Sequence, residues 1–147
     1  MRSWIVIPAV CASLSCADMG SEPKISGFSS AKAVWQASHI SDYSMEQRLI
    51  CFCAFGGEKF KVVVRNRAVV DVIDLDHNTH VPEQLRSSFK SIDELFTFLE
   101  SLQGRDVAEL RFEFDKAYGY PTKIYVDYDR NVADEEMGYE SKDLARE

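Results

Sequence analysis

The residues with the greatest chemical potential are carboxylates and one amide that crowd into a short stretch near the C-terminus. Oxygen atoms of such side chains are the ligands that hard cations such as Ca²⁺ prefer. The spacing does not fit an EF-hand, because Val132 stands where that loop needs a glycine if Asp127 is its first position. We favour a solvated acidic loop, and the alternative is a calcium site that Asp115 from a neighbouring turn would complete. The candidate metal ligands are Asp127, Asp129, Asn131, Asp134 and Glu135.

A second set of metal-binding residue types lies earlier in the chain. His77 and His80 are three residues apart beside Asp74 and Asp76, and imidazole with carboxylate is a donor set that Zn²⁺ accepts. The segment leads into Pro82, which indicates a loop rather than the helical turn that would bring the two rings together. We therefore favour a loop without zinc and predict no cofactor.

Three tyrosines near the second of two predicted hairpins are candidates for a binding surface. They are Tyr118, Tyr120 and Tyr125. An exposed tyrosine favours binding because one rigid ring buries much area at a small cost in conformational entropy. For any single ring, however, we favour packing in the core or across the hairpin.

Cys51 and Cys53 are the cysteines that a folded domain would retain. On a regular strand their Cβ atoms would be more than about 6 Å apart, whereas a disulfide needs about 3.5–4.5 Å. A bridge between them therefore requires a bend in the chain. In an oxidising compartment unpaired thiols are uncommon, so we favour this local disulfide over two free thiols. Thiol-redox chemistry at the pair is an alternative function.

No catalytic signature accompanies these candidates. The sequence has no Gly-x-Ser-x-Gly nucleophile elbow and no glycine-rich loop that would cradle a phosphate. We predict that the protein is not an enzyme and has no catalytic residues.

The elements that must position these residues follow from hydrophobic spacing. Ser29 and Ser30 offer an N-cap to a short helix in which Trp35 is the core anchor. Alternation predicts a strand over residues 47–55, which Gly56-Gly57 ends. Two β-branched runs at 60–65 and 68–75 predict a hairpin, although Arg67 stands where the turn would favour glycine.

The second half of the domain carries clearer signals. Ser91 and Glu94 form a capping box before a helix that Gly104 stops. Residues 107–114 and 122–128 then alternate as two strands of a second hairpin. We predict a single α+β domain over residues 31–147: a mostly antiparallel sheet of about five strands, two hairpins plus one strand, packed against two helices.

The first residues indicate export. Arg2 precedes an uncharged, mostly apolar run of about eleven residues, which is too short to span a bilayer as a helix. Residues 1–15 resemble a bacterial lipoprotein signal, which implies that Cys16 carries lipid and that residues 16–30 are a flexible tether. Ala17 after that cysteine implies an outer-membrane location facing the periplasm. The alternative is ordinary cleavage after Ala17, which would give a soluble secreted or periplasmic protein.

The charge of the chain excludes one class of partner. With 17 basic and 24 acidic residues the net charge is −7, so the surface repels nucleic acid and anionic lipid headgroups. The expected partners are the membrane, through the lipid anchor alone, and an envelope protein.

Several short motifs together resemble a family of uncharacterised bacterial envelope proteins that is catalogued as a domain of unknown function. The motifs are Cys51-Phe52-Cys53, residues 91–96, the segment 115–121 (DKAYGYP) and Asp134-Glu135-Glu136. The resemblance implies one extracytoplasmic domain and no particular activity. We therefore expect a lipid-anchored envelope protein that is a non-enzymatic binding or structural module, and the alternative is a metal-binding (calcium or zinc) or thiol-redox protein.

Overall fold

The computed structural model describes residues 27–147, so the predicted leader, Cys16 and most of the predicted tether lie outside it. Its elements, in chain order, are α1 (Phe28–Ala37), β1 (Tyr43–Ile50), β2 (Lys59–Arg65), β3 (Ala68–Asp74), β4 (Thr79–His80), a 3₁₀ helix (Glu83–Ser88), α2 (Ile92–Leu102), β5 (Glu109–Phe114), β6 (Pro121–Asp127) and β7 (Met137–Arg146). Among these residues no helix is both long enough and apolar enough to cross a bilayer.

The strands form one antiparallel sheet of seven strands in the order β4-β3-β2-β1-β7-β6-β5. The prediction of an α+β domain with about five strands on two helices is therefore wrong, because the fold is mostly β, with seven strands and three short helices among the described residues. The prediction lacks β4, the 3₁₀ helix and, above all, β7. The sequence of β7, MGYESKDLAR, has no β-branched residue and many charges, so no local preference indicates a strand. It forms because β1 and β6 offer hydrogen-bonding edges on both of its sides.

The other strand error concerns β1. The predicted strand 47–55 begins four residues too late and ends five residues too late, because β1 runs from Tyr43 to Ile50 and residues 51–58 form a loop. The helix α1 also begins earlier than predicted, with Gly27 as its N-cap. Phe28, which was assigned to the tether, is a buried core residue.

Both predicted hairpins are confirmed. Arg65 pairs with Ala68 across a two-residue turn, in which Asn66 and Arg67 both have positive φ (48° and 67°) as a type I′ turn demands. The strands β5 and β6 pair as the second hairpin. The capping box of α2 is also confirmed, with Ser91 as N-cap.

The core lies between one face of the sheet and the helices. The two α-helices meet there, since the rings of Phe28 and Phe96 are 5.8 Å apart. Trp35 packs edge-on against Tyr43 of β1, at 5.6 Å between ring centroids. The Tyr43 hydroxyl in turn accepts a hydrogen bond from the Ile92 backbone N–H at 2.7 Å, which fixes the start of α2 over β1.

The two ends of the sheet differ in composition. Ile50 of β1 and Tyr125 of β6 are both paired with Gly138 of β7, and Phe60 of β2 is paired with Asp74 of β3. Because of this register, four loops leave the sheet at the same end. We call this the acidic end; its loops are residues 51–58, 75–78, 103–108 and 128–136. The opposite end, called the turn end, carries the turns at 66–67 and 115–120 and the connection at 38–42.

Candidate binding surface

The predicted metal ligands lie at or next to the acidic end, but their geometry is that of a hydrogen-bonded turn. Asp129 Oδ1 accepts hydrogen bonds from the backbone N–H of Asn131 at 2.9 Å and from its side-chain amide at 2.8 Å. These bonds lower the pKa of Asp129. The Asn131 side-chain nitrogen and the Asp129 carboxylate therefore hold each other inside the loop.

The remaining candidates do not complete a site. Asp134 is exposed, while Asp127 and Glu135 each have one buried carboxylate oxygen without a hydrogen-bond partner among the described residues. Two such oxygens fall short of the six to eight that Ca²⁺ takes. Asp115 cannot contribute, because it lies at the turn end, separated from the acidic loop by the whole length of β6. Over residues 27–147, no three His, Cys, Asp or Glu side chains are grouped to hold a metal ion.

The two histidines are likewise engaged separately. His77 Nδ1 lies 2.8 Å from Asp74 Oδ2, and His80 Nδ1 lies 2.8 Å from Asp71 Oδ2. The hydrogen bond and the charge of Asp74 raise the pKa of His77. Each imidazole therefore has its own carboxylate, and the pair does not form the donor set of a zinc site.

The three candidate tyrosines do not form one surface. Tyr120 is 5% exposed, and its burial raises the pKa of its hydroxyl. Tyr118 packs against the core at the turn end, with the Arg146 guanidinium over its ring. Tyr125 lies on the open face of the sheet under Arg111, whose guanidinium carbon is 4.6 Å from the ring centroid. The predicted tyrosine surface is corrected accordingly: Tyr120 is a core residue, and the other two are apart.

A cleft of about 670 Å³ lies between β3, the 3₁₀ helix and α2. Its basic groups are already paired, Arg67 with Asp93 at 3.4 Å and Arg86 with Asp71 at 2.9 Å. Because both arginines of its wall are paired and Glu83 and Glu94 also line it, the cleft does not favour an anion.

The loop from Cys51 to Glu58 is the most distinctive feature of the acidic end. A disulfide joins Cys51 to Cys53, whose Cα atoms are 5.3 Å apart. Gly56 turns back against this bridge: its N–H donates to the Cys53 carbonyl at 3.0 Å, and a Cβ on it would lie 2.2 Å from the Cys51 carbonyl oxygen. Only glycine fits there, so the loop folds back tightly against the bridge.

The same loop is fastened to the core by one aromatic ring and exposes another. Phe55 packs against Phe60 and Phe89, with ring centroids 5.6 and 5.4 Å away. Gly57 N–H donates to the Leu49 carbonyl at 2.9 Å, and Arg48 Nε donates to the Gly57 carbonyl at 3.0 Å. Between the bridged cysteines, Phe52 is 83% exposed. A large apolar ring is thus held in water by a closed, anchored loop.

Other apolar side chains and an excess of acidic over basic residues share this end. Leu75, Val132 and Met137, which are 44%, 49% and 40% exposed, extend from the ends of the neighbouring strands and their loops. The four loops of the acidic end contain seven acidic residues and two basic ones. The acidic residues are Glu58, Asp76, Asp106, Asp129, Asp134, Glu135 and Glu136, and the basic ones are Arg105 and Arg130.

Sequence reasoning located the cysteine pair and the acidic stretch but missed Phe52. A strand interpretation put its side chain on a regular sheet face. The available signal was the spacing of the cysteines, since a bridge across one residue forces that residue out of the strand.

The fold and this surface define an antiparallel sheet, covered by helices on one face, that presents an exposed disulfide loop. The chain belongs to the Family of unknown function (DUF6174), whose model matches residues 27–146. The match confirms the resemblance to an uncharacterised domain family. Neither the curated proteins nor the solved structures contain a match to the chain.

Proposed function

We propose that the chain is a lipid-anchored protein of the bacterial cell envelope, at the outer membrane facing the periplasm, that acts as a non-enzymatic binding module. It contacts a protein partner through the acidic end. The observation that carries the proposal is Phe52, 83% exposed on a loop that the disulfide closes. An aromatic anchor that is already rigid loses little conformational entropy on binding, which favours affinity.

The charge of the acidic end favours one kind of partner. Its loops have seven acidic residues against two basic ones, so an anionic bilayer surface would repel them. A protein surface with basic residues around an apolar pocket matches both the charge and the ring. The lipid on Cys16 would hold the protein at the membrane, and Phe52 would engage the partner.

A photo-crosslinking amino acid at position 52, placed in cells of the native host, tests the binding role. The matched control position is Leu85, which is 44% exposed on the 3₁₀ helix away from the acidic end. We expect one defined adduct from position 52 and none from position 85. The captured partner should bind purified chain, and Phe52→Ser should weaken that binding about thirtyfold, the usual effect of removing an aromatic hot spot.

The outcome that contradicts the binding role is equal labelling from both positions, or a Phe52→Ser variant that binds the captured partner as tightly as the unchanged protein. Because Phe52 is so exposed, the substitution should change the free energy of unfolding by no more than about 0.5 kcal/mol. A melting curve therefore separates lost binding from lost folding.

The anchor is tested by intact mass of protein from native membranes. We expect a chain that starts at Cys16 with lipid attached, and a Cys16→Ser variant that leaves the membrane fraction. An unmodified chain that starts at Met1 would contradict the anchor without touching the binding test.

The alternative function, thiol–disulfide exchange at Cys51 and Cys53, is favoured by the exposure of Cys53 at the loop tip. Thiol counting by mass spectrometry across a glutathione redox series would support it if the bridge opens within the physiological range. Phe52→Ser separates the two functions, because it removes the binding anchor and leaves both sulfur atoms in place.

A further inference from the structure

The two edges of the sheet are protected to different degrees. At one edge β4 has only two residues, and the neighbouring β3 contains a register shift opposite Val63 and Val64. The β3 backbone beyond β4 is covered: Arg86 Nη1 donates to the Val70 carbonyl at 2.5 Å, and the Val81 N–H donates to the Val72 carbonyl at 2.8 Å. Short edge strands, bulges and covering groups are the usual protection against pairing with another chain.

The other edge, β5, is longer than β4 and less covered. Its pairing with β6 is regular from Glu109 to Glu113, and the register shifts only at Phe114. In the part of the chain that the structure describes, no strand pairs with its outer side and no side chain hydrogen-bonds its backbone. The strand contains no proline and no charged residue on its core face.

The side chains of β5 alternate between the two faces of the sheet. Leu110, Phe112 and Phe114 are half-buried on the core side, and Arg111 and Glu113 are exposed on the open face. A strand added to this edge would cover the apolar surface that the core-side residues still expose. It would also bring its own charged side chains beside Arg111 and Glu113.

We propose that β5 is a homodimer interface, in which a second copy of the chain adds its own β5 antiparallel to this one around a two-fold axis at Phe112. In that register Arg111 lies opposite Glu113 of the second copy, and the same pair recurs across the axis. Leu110 lies opposite Phe114 of the second copy. Opposite charges and apolar side chains directly across two strands stabilise their pairing.

Charge and apolar pairing together favour this register. An axis at Leu110 would also pair Arg111 with Glu109 of the second copy, but it would place Phe112 and Phe114 opposite Ala108 and Asp106, which lie outside the strand. An axis at Arg111 would place two arginines opposite each other and Glu109 opposite Glu113, so every charged pair would be repulsive. The strand is therefore complementary to itself when it is centred on Phe112. The result is one continuous sheet through both copies, with an interface of the isologous kind typical of dimers.

Charge reversal tests the interface in the full chain, with the dissociation constant measured by light scattering over a concentration series. Arg111→Glu and Glu113→Arg each turn two attractive pairs into two repulsive ones, and each should weaken the dimer about tenfold. The double variant restores both pairs and should recover the original affinity. Lys61→Glu, on the open face of β2 and four strands away from β5, is the matched control and should leave the dimer unchanged.

A second measurement does not depend on the charges. Cysteines at position 112 of the two copies would face each other across the axis and should form a disulfide-linked dimer on mild oxidation. Cysteines at position 109 would be about 20 Å apart in the same register and should not. A monomer at concentrations up to about 1 mM, a dimer that the single reversals leave intact, or a double variant as weak as the single ones would each overturn the proposal.

Discussion

Gly119 shows how one residue fixes the turn between β5 and β6 against α1. Its φ is +74°, and a Cβ would lie 2.4 Å from the backbone oxygen of Ala31. Gly119→Ala combines a left-handed backbone with a clash, so it should lower the free energy of unfolding by about 3 kcal/mol. Denaturant unfolding measures the loss.

Gly104→Ala is the matched control for that substitution. Gly104 has nearly the same φ, +72°, but no atom of the described part of the chain lies within 4 Å of its ideal Cβ. The Gly104→Ala variant should lose only about 1 kcal/mol of unfolding free energy, which is the cost of the backbone conformation alone. If the two variants lost equal unfolding free energy, the contact between Gly119 and α1 would contribute nothing to stability.

The contribution of His77 to the stability of the fold should depend measurably on pH. Because Asp74 raises its pKa above 6.5 in the folded protein, the interaction stabilises the fold while the imidazole is protonated. This contribution is complete below the unfolded pKa and is lost as the pH rises through the folded pKa. An NMR titration should give a midpoint above 6.5, and Asp74→Asn should bring it back towards the value in the urea-unfolded chain. An unchanged midpoint in the Asn variant would contradict this origin.

At the scale of elements, Gln47 joins β1 to the segment before α2. It is fully buried, its Nε2 donates to the Lys90 carbonyl, and its Oε1 accepts from the Lys90 N–H, both at 3.0 Å. Gln47→Leu would leave both backbone groups without partners and should cost about 3 kcal/mol of unfolding free energy. The matched control is Ser141→Ala on the neighbouring β7, since the Ser141 hydroxyl is buried without a hydrogen-bond partner among residues 27–147. Ser141→Ala should be neutral or stabilising. Chemical denaturation of both variants tests whether Gln47→Leu is the more destabilising of the two.

The sequence predicts those elements that are specified by residues close together in the chain. The Asn66-Arg67 turn and the Ser91 capping box are specified by residues a few positions apart, and both are confirmed. The strand β7 is specified by its neighbours, which no short window of sequence contains. The same distinction applies to the candidate surface. The cysteines and acids are visible in the sequence, but the exposure of Phe52 depends on how Gly56 folds the loop back.

At the scale of the molecule, the strands nearest the two ends of the described chain meet in the middle of the sheet. β1 pairs with β7, and this contact divides the sheet into β2–β4 on one side and β5 and β6 on the other. Neither side has a core of its own, because α1 and α2 touch each other over the centre: Lys32 pairs with Glu100, and Phe28 contacts Phe96. The two sides should therefore be one cooperative unit.

This topology predicts a single unfolding transition. Val72 in β3 and Val126 in β6 are both fully buried, on opposite sides of the central pair, so their methyl NMR signals report the two sides separately. Both signals should be lost at the same denaturant concentration. Gly119→Ala, whose clash lies next to β6, should move the two midpoints down equally, because Val72 cannot keep its packing once β1 loses β7. If Val126 melted first and Val72 kept its midpoint, the half containing β2–β4 would be stable alone, and the central pairing of β1 with β7 would not hold the fold together.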